Sequence, residues 1–136
     1  MVWKGGVISP ILFCIYIDDL LKRLSASGVG CCLGSNFVGA LAYADDIVLV
    51  TQTPFAMRKI LMICDMYASQ YNIIFNAQKS KFLVICATCR RSLYASMCKC
   101  VFFIGSNPIE NVDSFSHLVH ITDSRFTDKK RHIIQA

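Results

Sequence analysis

The chain has 136 residues, 54% of them hydrophobic, with 14 Lys and Arg against 9 Asp and Glu for a formal net charge of +5. That length holds one domain at most, or part of one, and so apolar a small chain suggests surfaces that something else covers. The modest basic excess permits nucleic-acid binding without demanding it, and no apolar run reaches the roughly 18 residues that a membrane span needs.

The N-terminal stretch has the outline of a signal peptide, Lys4 followed by the apolar run Val7 to Ile17. Gly5-Gly6, Ser9-Pro10 and the charged Asp18-Asp19 interrupt it, and no small-x-small cleavage site follows, so secretion is not expected. Ser9-Pro10 reads instead as a helix start, since Ser can cap free N–H groups and Pro fits the first turn. Apolar residues then recur at Ile8, Leu12, Ile15, Leu20 and Leu24, with Ile11, Tyr16 and Leu21 beside them. Asp18 and Asp19 fall on the solvated face of this helix, which stops at Ser25-Ala26-Ser27-Gly28.

Gly30 to Leu33 and Phe37 to Tyr43 read as strands around a Gly34-Ser35-Asn36 turn. Ile47-Val48-Leu49-Val50 is the next strand, so Tyr43-Ala44-Asp45-Asp46 falls at a tight hairpin turn. Two adjacent carboxylates between apolar runs are costly to bury unless a cation compensates them. Oxygen ligands at a turn suit Mg²⁺, which takes one or two protein carboxylates and completes its shell with water and phosphate. Asp is also an ordinary turn residue, and a hairpin tip can carry two for solubility alone. The flanking strands look too apolar for an exposed edge hairpin, which favours a pair held against a core. The earlier Tyr16-Ile17-Asp18-Asp19 repeats the tetrapeptide in a helical setting and cannot form the same turn-mounted pair.

Thr53-Pro54 repeats the helix start signal, and Met57, Ile60, Leu61, Cys64, Tyr67, Ala68 and Tyr71 follow at helical spacing. Arg58, Lys59, Asp65 and Gln70 fall outside that stripe, and Asn72 ends the helix. Both helices are expected on one face of the same sheet. Ile73-Ile74-Phe75 reads as a short strand, Asn76 to Lys81 as a polar basic loop, and Phe82 to Cys86 as another strand. Cys89 to Met97 reads as a linker, and Val101 to Ile104 and Phe115 to Ile121 as strands separated by the turn-rich Gly105-Ser106-Asn107-Pro108. The polar, basic stretch Asp123 to Ala136 reads as a helix start or a loose tail.

Of the 8 cysteines, Cys14 and Cys64 fall on the apolar faces of the two helices, and Cys31-Cys32 point to opposite faces of a strand. Cys86, Cys89, Cys98 and Cys100 form the one metal-like cluster. Cys98 and Cys100 are too closely spaced for the usual zinc pairs and lie about 7 Å apart along an extended strand. Reduced structural thiols are the expectation.

Taken in order, these motifs resemble the reverse transcriptase domain of LINE-type non-LTR retrotransposons. Gly5-Gly6-Val7-Ile8-Ser9-Pro10-Ile11-Leu12-Phe13 is similar to that family's template-gripping segment. Tyr43-Ala44-Asp45-Asp46 resembles its catalytic hairpin, Phe75-Asn76-Ala77-Gln78-Lys79-Ser80 its lysine-bearing loop, and Phe115-Ser116-His117-Leu118-Val119-His120 its primer-grip hairpin.

The resemblance implies an α+β fold, a partial polymerase palm in which an antiparallel sheet carries two helices on one face. It covers residues 1–122, with 123–136 the start of a thumb-like segment or a loose tail. It implies RNA-directed DNA synthesis by two-metal nucleotidyl transfer, with Mg²⁺, an RNA template, a DNA primer and dNTP as partners and no membrane. Asp45 would be a metal ligand, Asp46 a second carboxylate at the metal, and Lys79 a catalytic group meeting the triphosphate or the leaving pyrophosphate. Gly5, Gly6, Ser9, Pro10, Tyr43, Ala44, Asn76 and Leu118 would lie along template, primer or nucleotide, with Asn76 shaping its loop. Nuclear residence would follow from the family's way of life.

The sequence also departs from the family pattern. Trp3-Lys4 stands where Arg-Gln is usual, and Leu118-Val119 where Leu-Gly is usual. A β-branched residue replaces glycine at positive φ only with strain. Fingers, most of the thumb and an upstream palm strand with a further metal-binding aspartate are not among these residues. The expectation is therefore a palm fragment without activity on its own. The alternative is a non-catalytic nucleic-acid-binding or interaction module reusing the palm.

Overall fold

The structure is a computed structural model that describes residues 9–85, 100–117, 120–123 and 131–135. Two helices and eleven strands make a mixed α+β architecture among these residues. Helix α1 (Ser9–Ala26) begins at the Ser-Pro signal. Helix α2 (Pro54–Tyr71) has Thr53 as N-cap, its side chain accepting from the Ala56 N–H at 3.2 Å, with Pro54 in the first turn. It ends at Asn72, whose left-handed φ of 53° lets its N–H reach the Ala68 carbonyl.

The principal sheet has five strands in the order β3-β4-β11-β5-β8, comprising β3 (Ala40–Tyr43), β4 (Asp46–Thr51), β5 (Lys81–Ile85), β8 (Glu110–Asn111) and β11 (Arg131–Gln135). Three two-stranded hairpins flank it: β1 (Cys32–Leu33) with β2 (Asn36–Phe37), β6 (Phe103–Ile104) with β7 (Asn107–Pro108), and β9 (Ser114–His117) with β10 (His120–Asp123).

Both helices lie on one face of the sheet. Ile47 and Leu49 of β4 and Phe82 and Val84 of β5 face Ile17, Leu20 and Leu24 of α1 and Met57, Ile60, Leu61, Cys64 and Tyr67 of α2 in one core. The intervening Val48 and Val50 pack with Cys31 on the opposite face, as the two-residue period of a strand requires. Tyr67 donates to the Tyr16 carbonyl at 2.7 Å, which ties the helices together. Arg23 adds hydrogen bonds to Gln70 at 2.9 Å and to the Tyr71 hydroxyl at 3.2 Å, and lies over the Tyr67 ring at 4.9 Å.

Several expectations change here. The stripe that α1 buries runs through Ile17, Leu20 and Leu24 with Phe13 and Leu21 beside it, so Ile11, Leu12 and Ile15 are exposed. Cys14 is exposed as well, because the sheet meets the helix on the Ile17 side. The strand expected over Phe37 to Tyr43 breaks at Val38-Gly39, where the β1–β2 hairpin folds aside. A Cβ on Gly39 would stand 2.7 Å from the Phe37 ring and 3.0 Å from the Cys31 backbone nitrogen, so any larger residue there makes that ring shift.

Ile73-Ile74-Phe75 forms no strand: the chain leaves left-handed Asn72 with the Ile73 N–H still bonded to Ala68, and Ile74 is 93% exposed. The stretch Phe115 to Ile121, read as a strand from its pattern and as a hairpin from the resemblance, contributes to two strands, β9 and β10, that pair antiparallel with His117 opposite His120. The sheet is not wholly antiparallel, because β5 and β8 run parallel, held at their start by the Lys81–Glu110 ion pair. Residues 131–135, read from sequence within a helix start or loose tail, form the middle strand of the sheet. Two consecutive isoleucines, Ile133-Ile134, suit a strand whose neighbours are buried on both faces.

Candidate active-site cleft

The β3–β4 hairpin closes with Tyr43 paired to Asp46 and Ala44-Asp45 as the two turn residues. Ala44 takes a φ of 50°, whereas Asp45 is not among the positive-φ residues. Positive φ at only the first central position is the mark of a type II′ turn, whose twist matches the strands it joins. Asp45 is therefore presented at the turn, exposed, while Asp46 opens β4 and is half-buried. Asp18 and Asp19, in the other copy of the tetrapeptide, sit on α1 and pair with Lys22 at 2.6 Å and Arg23 at 3.3 Å. Asp18 is solvated as expected, whereas Asp19 is half-buried beside α2.

The hairpin is less enclosed than its sequence suggests. β3 is an edge strand, with Leu41 56% and Tyr43 63% exposed. The apolar residues of β3 thus lie largely on the surface, and the core reaches the hairpin through Ala40 and Ile47.

Asp45 and Asp46 open into a cleft of about 390 Å³ lined also by Phe13, Ile47, Ile73, Ile74, Phe75, Asn76 and Lys79. The Asn76 side chain accepts from the backbone N–H groups of Gln78 at 3.1 Å and Lys79 at 3.2 Å, an Asx-type turn that fixes the loop carrying Lys79. Ser80, fully buried, donates back to the Asn76 carbonyl at 2.8 Å and closes the loop onto β5. Thus one cleft gathers two carboxylates, an exposed lysine and the asparagine that shapes its turn, from segments far apart in sequence.

The other sequence candidates are not gathered there. Tyr43 is exposed outside the cleft lining, and Ala44 sets the turn. Ser9 and Pro10 open α1. Gly5, Gly6 and Leu118 lie outside the described residues, as do Cys86, Cys89 and Cys98 of the proposed thiol cluster. Among the described residues, no three His, Cys, Asp or Glu side chains come together as a metal site. No helix among them is long and apolar enough to cross a membrane.

Sequence reasoning missed the apolar wall made by Phe13 with Ile73 and Ile74. Phe13 closes the segment that begins at Gly5-Gly6, so its place beside that motif was the available signal. The exposure of Ile74 carried no signal, because an isolated Ile-Ile-Phe run reads as a strand. In the core, burial pushes the Cys64 thiol up to about 12, which leaves it an inert packing group.

A family model for "Reverse transcriptase (RNA-dependent DNA polymerase)" matches residues 2–121. The chain is 35% identical over 78 residues to the Retrovirus-related Pol polyprotein from type-2 retrotransposable element R2DM of Drosophila melanogaster, a match taking in 57% of the chain and 7% of that polyprotein. It is 40% identical over 52 residues to the corresponding polyprotein from type-1 retrotransposable element R2 of Nasonia vitripennis, covering 38% of the chain and 5% of that protein. The type-1 element R2 polyprotein of Popillia japonica is 30% identical over 88 residues, 64% of the chain and 12% of that protein. The matches thus span only a small part of these relatives' length. With a family model covering most of its residues and a hairpin that presents two carboxylates beside a lysine-bearing turn, the chain belongs to the reverse transcriptase family, of the non-LTR retrotransposon type.

Proposed function

We propose that the cleft lined by Asp45, Asp46, Asn76 and Lys79 is the nucleotidyl-transfer centre of an RNA-directed DNA polymerase, and that this chain supplies its hairpin, its two helices and its lysine loop. The observation that carries the proposal is the convergence of the carboxylate turn and the Lys79 turn on one cleft. The donor set fits Mg²⁺: adjacent carboxylate oxygens at a solvent-accessible turn, with room for water and phosphate in the cleft. When bound, such ions neutralise charge on the phosphates and clamp the attacking and leaving oxygens of an in-line displacement.

The chain's own residues do the rest. Asp45 and Asp46 hold the cation. The edge position of β3 leaves Tyr43 and Ala44 open to a primer end. Lys79, held by Asn76, meets the triphosphate or gives a proton to the leaving pyrophosphate, either of which needs its ammonium inside the cleft. Phe13 and Phe75 give the nucleotide an apolar wall. Gly5 and Gly6 allow close backbone approach to the template, Ser9 and Pro10 start the helix behind it, and Leu118 supports the primer.

Among the described residues no further carboxylate lines the cleft, two carboxylates hold two metal ions poorly, and a lost metal group costs several kcal/mol of transition-state stabilisation. The 136-residue chain by itself therefore binds metal and does not turn over. Mn²⁺ titration followed by electron paramagnetic resonance tests the site. Asp45→Asn and Asp46→Asn should each weaken binding by about tenfold or more, consistent with loss of a charged ligand. Unchanged Mn²⁺ affinity in the double variant would refute the assignment and favour the non-catalytic binding module.

A further inference from the structure

Helix α2 carries two apolar stripes. The first, Met57, Ile60, Leu61, Cys64 and Tyr67, is buried in the core. The second, Phe55, Met62 and Met66, is 74%, 55% and 66% exposed. At about 100° per residue these three fall within about 40° of one another, opposite the buried stripe. Both flanks of the helix are taken. On one side Arg23 of α1 reaches Gln70 and Tyr71. On the other, the Asp65 carboxylate accepts the Gly105 N–H with each oxygen at 3.0 Å, and Arg58 lies 5.7 Å over the Phe102 ring. The second stripe therefore stands as an apolar ridge between two fixed flanks, the kind of exposed patch that marks an interaction surface.

We propose that this ridge docks a second copy of the chain, with the two α2 helices packed antiparallel about a twofold axis near Met62. The charges choose both the occupant and its direction. Arg58 and Asp65 lie about two turns apart and about 20° from each other around the helix, on the same flank of the ridge. A twofold antiparallel pair sets each flank against its own counterpart, so Arg58 of one copy meets Asp65 of the other, twice over. A parallel pair would set Arg58 against Arg58 and Asp65 against Asp65. Asp65 has acceptor sites to spare for a guanidinium, since a carboxylate offers about four and Gly105 supplies one N–H. The same register drops Met66 of one copy into the hole framed by Phe55, Arg58, Lys59 and Met62 of the other, the spacing of a knobs-into-holes seam. Flexible thioethers suit such a seam. Opposite charges along one ridge do not suit a phosphate backbone, which is met by one sign throughout. A single pair of 18-residue helices buries less than the roughly 800 Å² per partner of a standard interface, so the association is weak, with a Kd on the order of 100 μM.

Sedimentation velocity on the full chain, at concentrations from roughly a tenth of that Kd to tenfold above it, tests the proposal. The wild-type chain should pass from monomer toward dimer. Arg58→Glu and Asp65→Lys should each weaken association by roughly tenfold or more, because like charges then meet at both ends of the seam. An equimolar mixture of the two variants should recover it, because every opposed pair in the mixed dimer is again of opposite sign. Met62→Lys, at an exposed position, should keep wild-type helical circular dichroism and lose the dimer. Monomer at every concentration in the wild-type chain overturns the proposal and leaves the ridge to a different occupant. Association that Met62→Lys does not change overturns it too, as does a mixture of folded charge variants that fails to associate. If Asp65→Lys unfolds the chain by losing its bond to Gly105, the comparison of the wild-type chain with Met62→Lys decides the matter. Phe55, Arg58, Met62 and Met66 are not among the cleft-lining residues, so failure here leaves the nucleotidyl-transfer reading untouched.

Discussion

Ala44 occupies the conformation most sensitive to substitution in the whole hairpin, and Ala44→Gly should make the protein more stable. Its φ of 50° is a left-handed value at which an L side chain crowds the following carbonyl. That crowding costs roughly 1–2 kcal/mol. Glycine removes it but loses more freedom on folding, about 0.5–1 kcal/mol relative to alanine. The difference is a net gain of about 0.5–1 kcal/mol. No other term of that size intervenes, because Ala44 is exposed and its side chain fills no core space. In a urea titration with a slope of roughly 1–3 kcal/mol/M the midpoint should rise by a few tenths of a molar. Ala44→Val should move it the other way by more than 1 kcal/mol, since a β-branched side chain tolerates this region least. A loss of stability in Ala44→Gly, or a neutral Ala44→Val, would mean that the turn does not hold the type II′ conformation and that Asp45 is presented differently.

Three further outcomes follow from the same structure. Cys64 is protonated in the fold, with its pKa raised from 9.0 to about 12 by burial. A raised folded pKa leaves its contribution intact below pH 9, and stability then falls as pH climbs toward 12, by about 1.4 kcal/mol per unit. Cys64→Ala should flatten that part of a urea-midpoint profile, and an unchanged alkaline slope would count against it. Thr53→Ala removes the oxygen that caps α2 and should cost about 1 kcal/mol by chemical denaturation, whereas Thr53→Ser should cost little. Primer extension on an RNA template by the purified 136-residue chain should stay at background with Mg²⁺ or Mn²⁺. Robust extension abolished by Asp45→Ala would show that a third acid reaches the site after all.

The local chemistry of the chain settled much of this. Ser9-Pro10 and Thr53-Pro54 mark both helix starts, Asn72 marks the end of α2, and the periodicity of Met57, Ile60, Leu61, Cys64 and Tyr67 identifies the face that α2 buries. Strand runs on either side of Asp45-Asp46 locate the hairpin, and the helical setting of Asp18-Asp19 separates it from its double. All of these are nearest-neighbour effects, carried by caps, turns and side-chain period. The resemblance drawn from the ordered motifs reached the right family, while the roles of Asp45, Asp46 and Lys79 remain proposals.

What lay beyond the sequence depends on long-range pairing. Ile11, Leu12 and Ile15 are as apolar as Ile17 and Leu20, and only the angle at which the sheet meets α1 decides which of them is buried. Ile73-Ile74-Phe75 has the composition of a strand but pairs with no strand among the described residues once Asn72 turns the chain, and it lines the cleft instead. Arg131 to Gln135 looks like a polar tail until β4 and β5 offer it two edges at once, and no local rule announces a strand whose partners lie so far back in the chain. Asp45 and Lys79 come to share a cleft for the same reason: each turn is fixed locally, but the packing of α2 on the sheet decides that both line it.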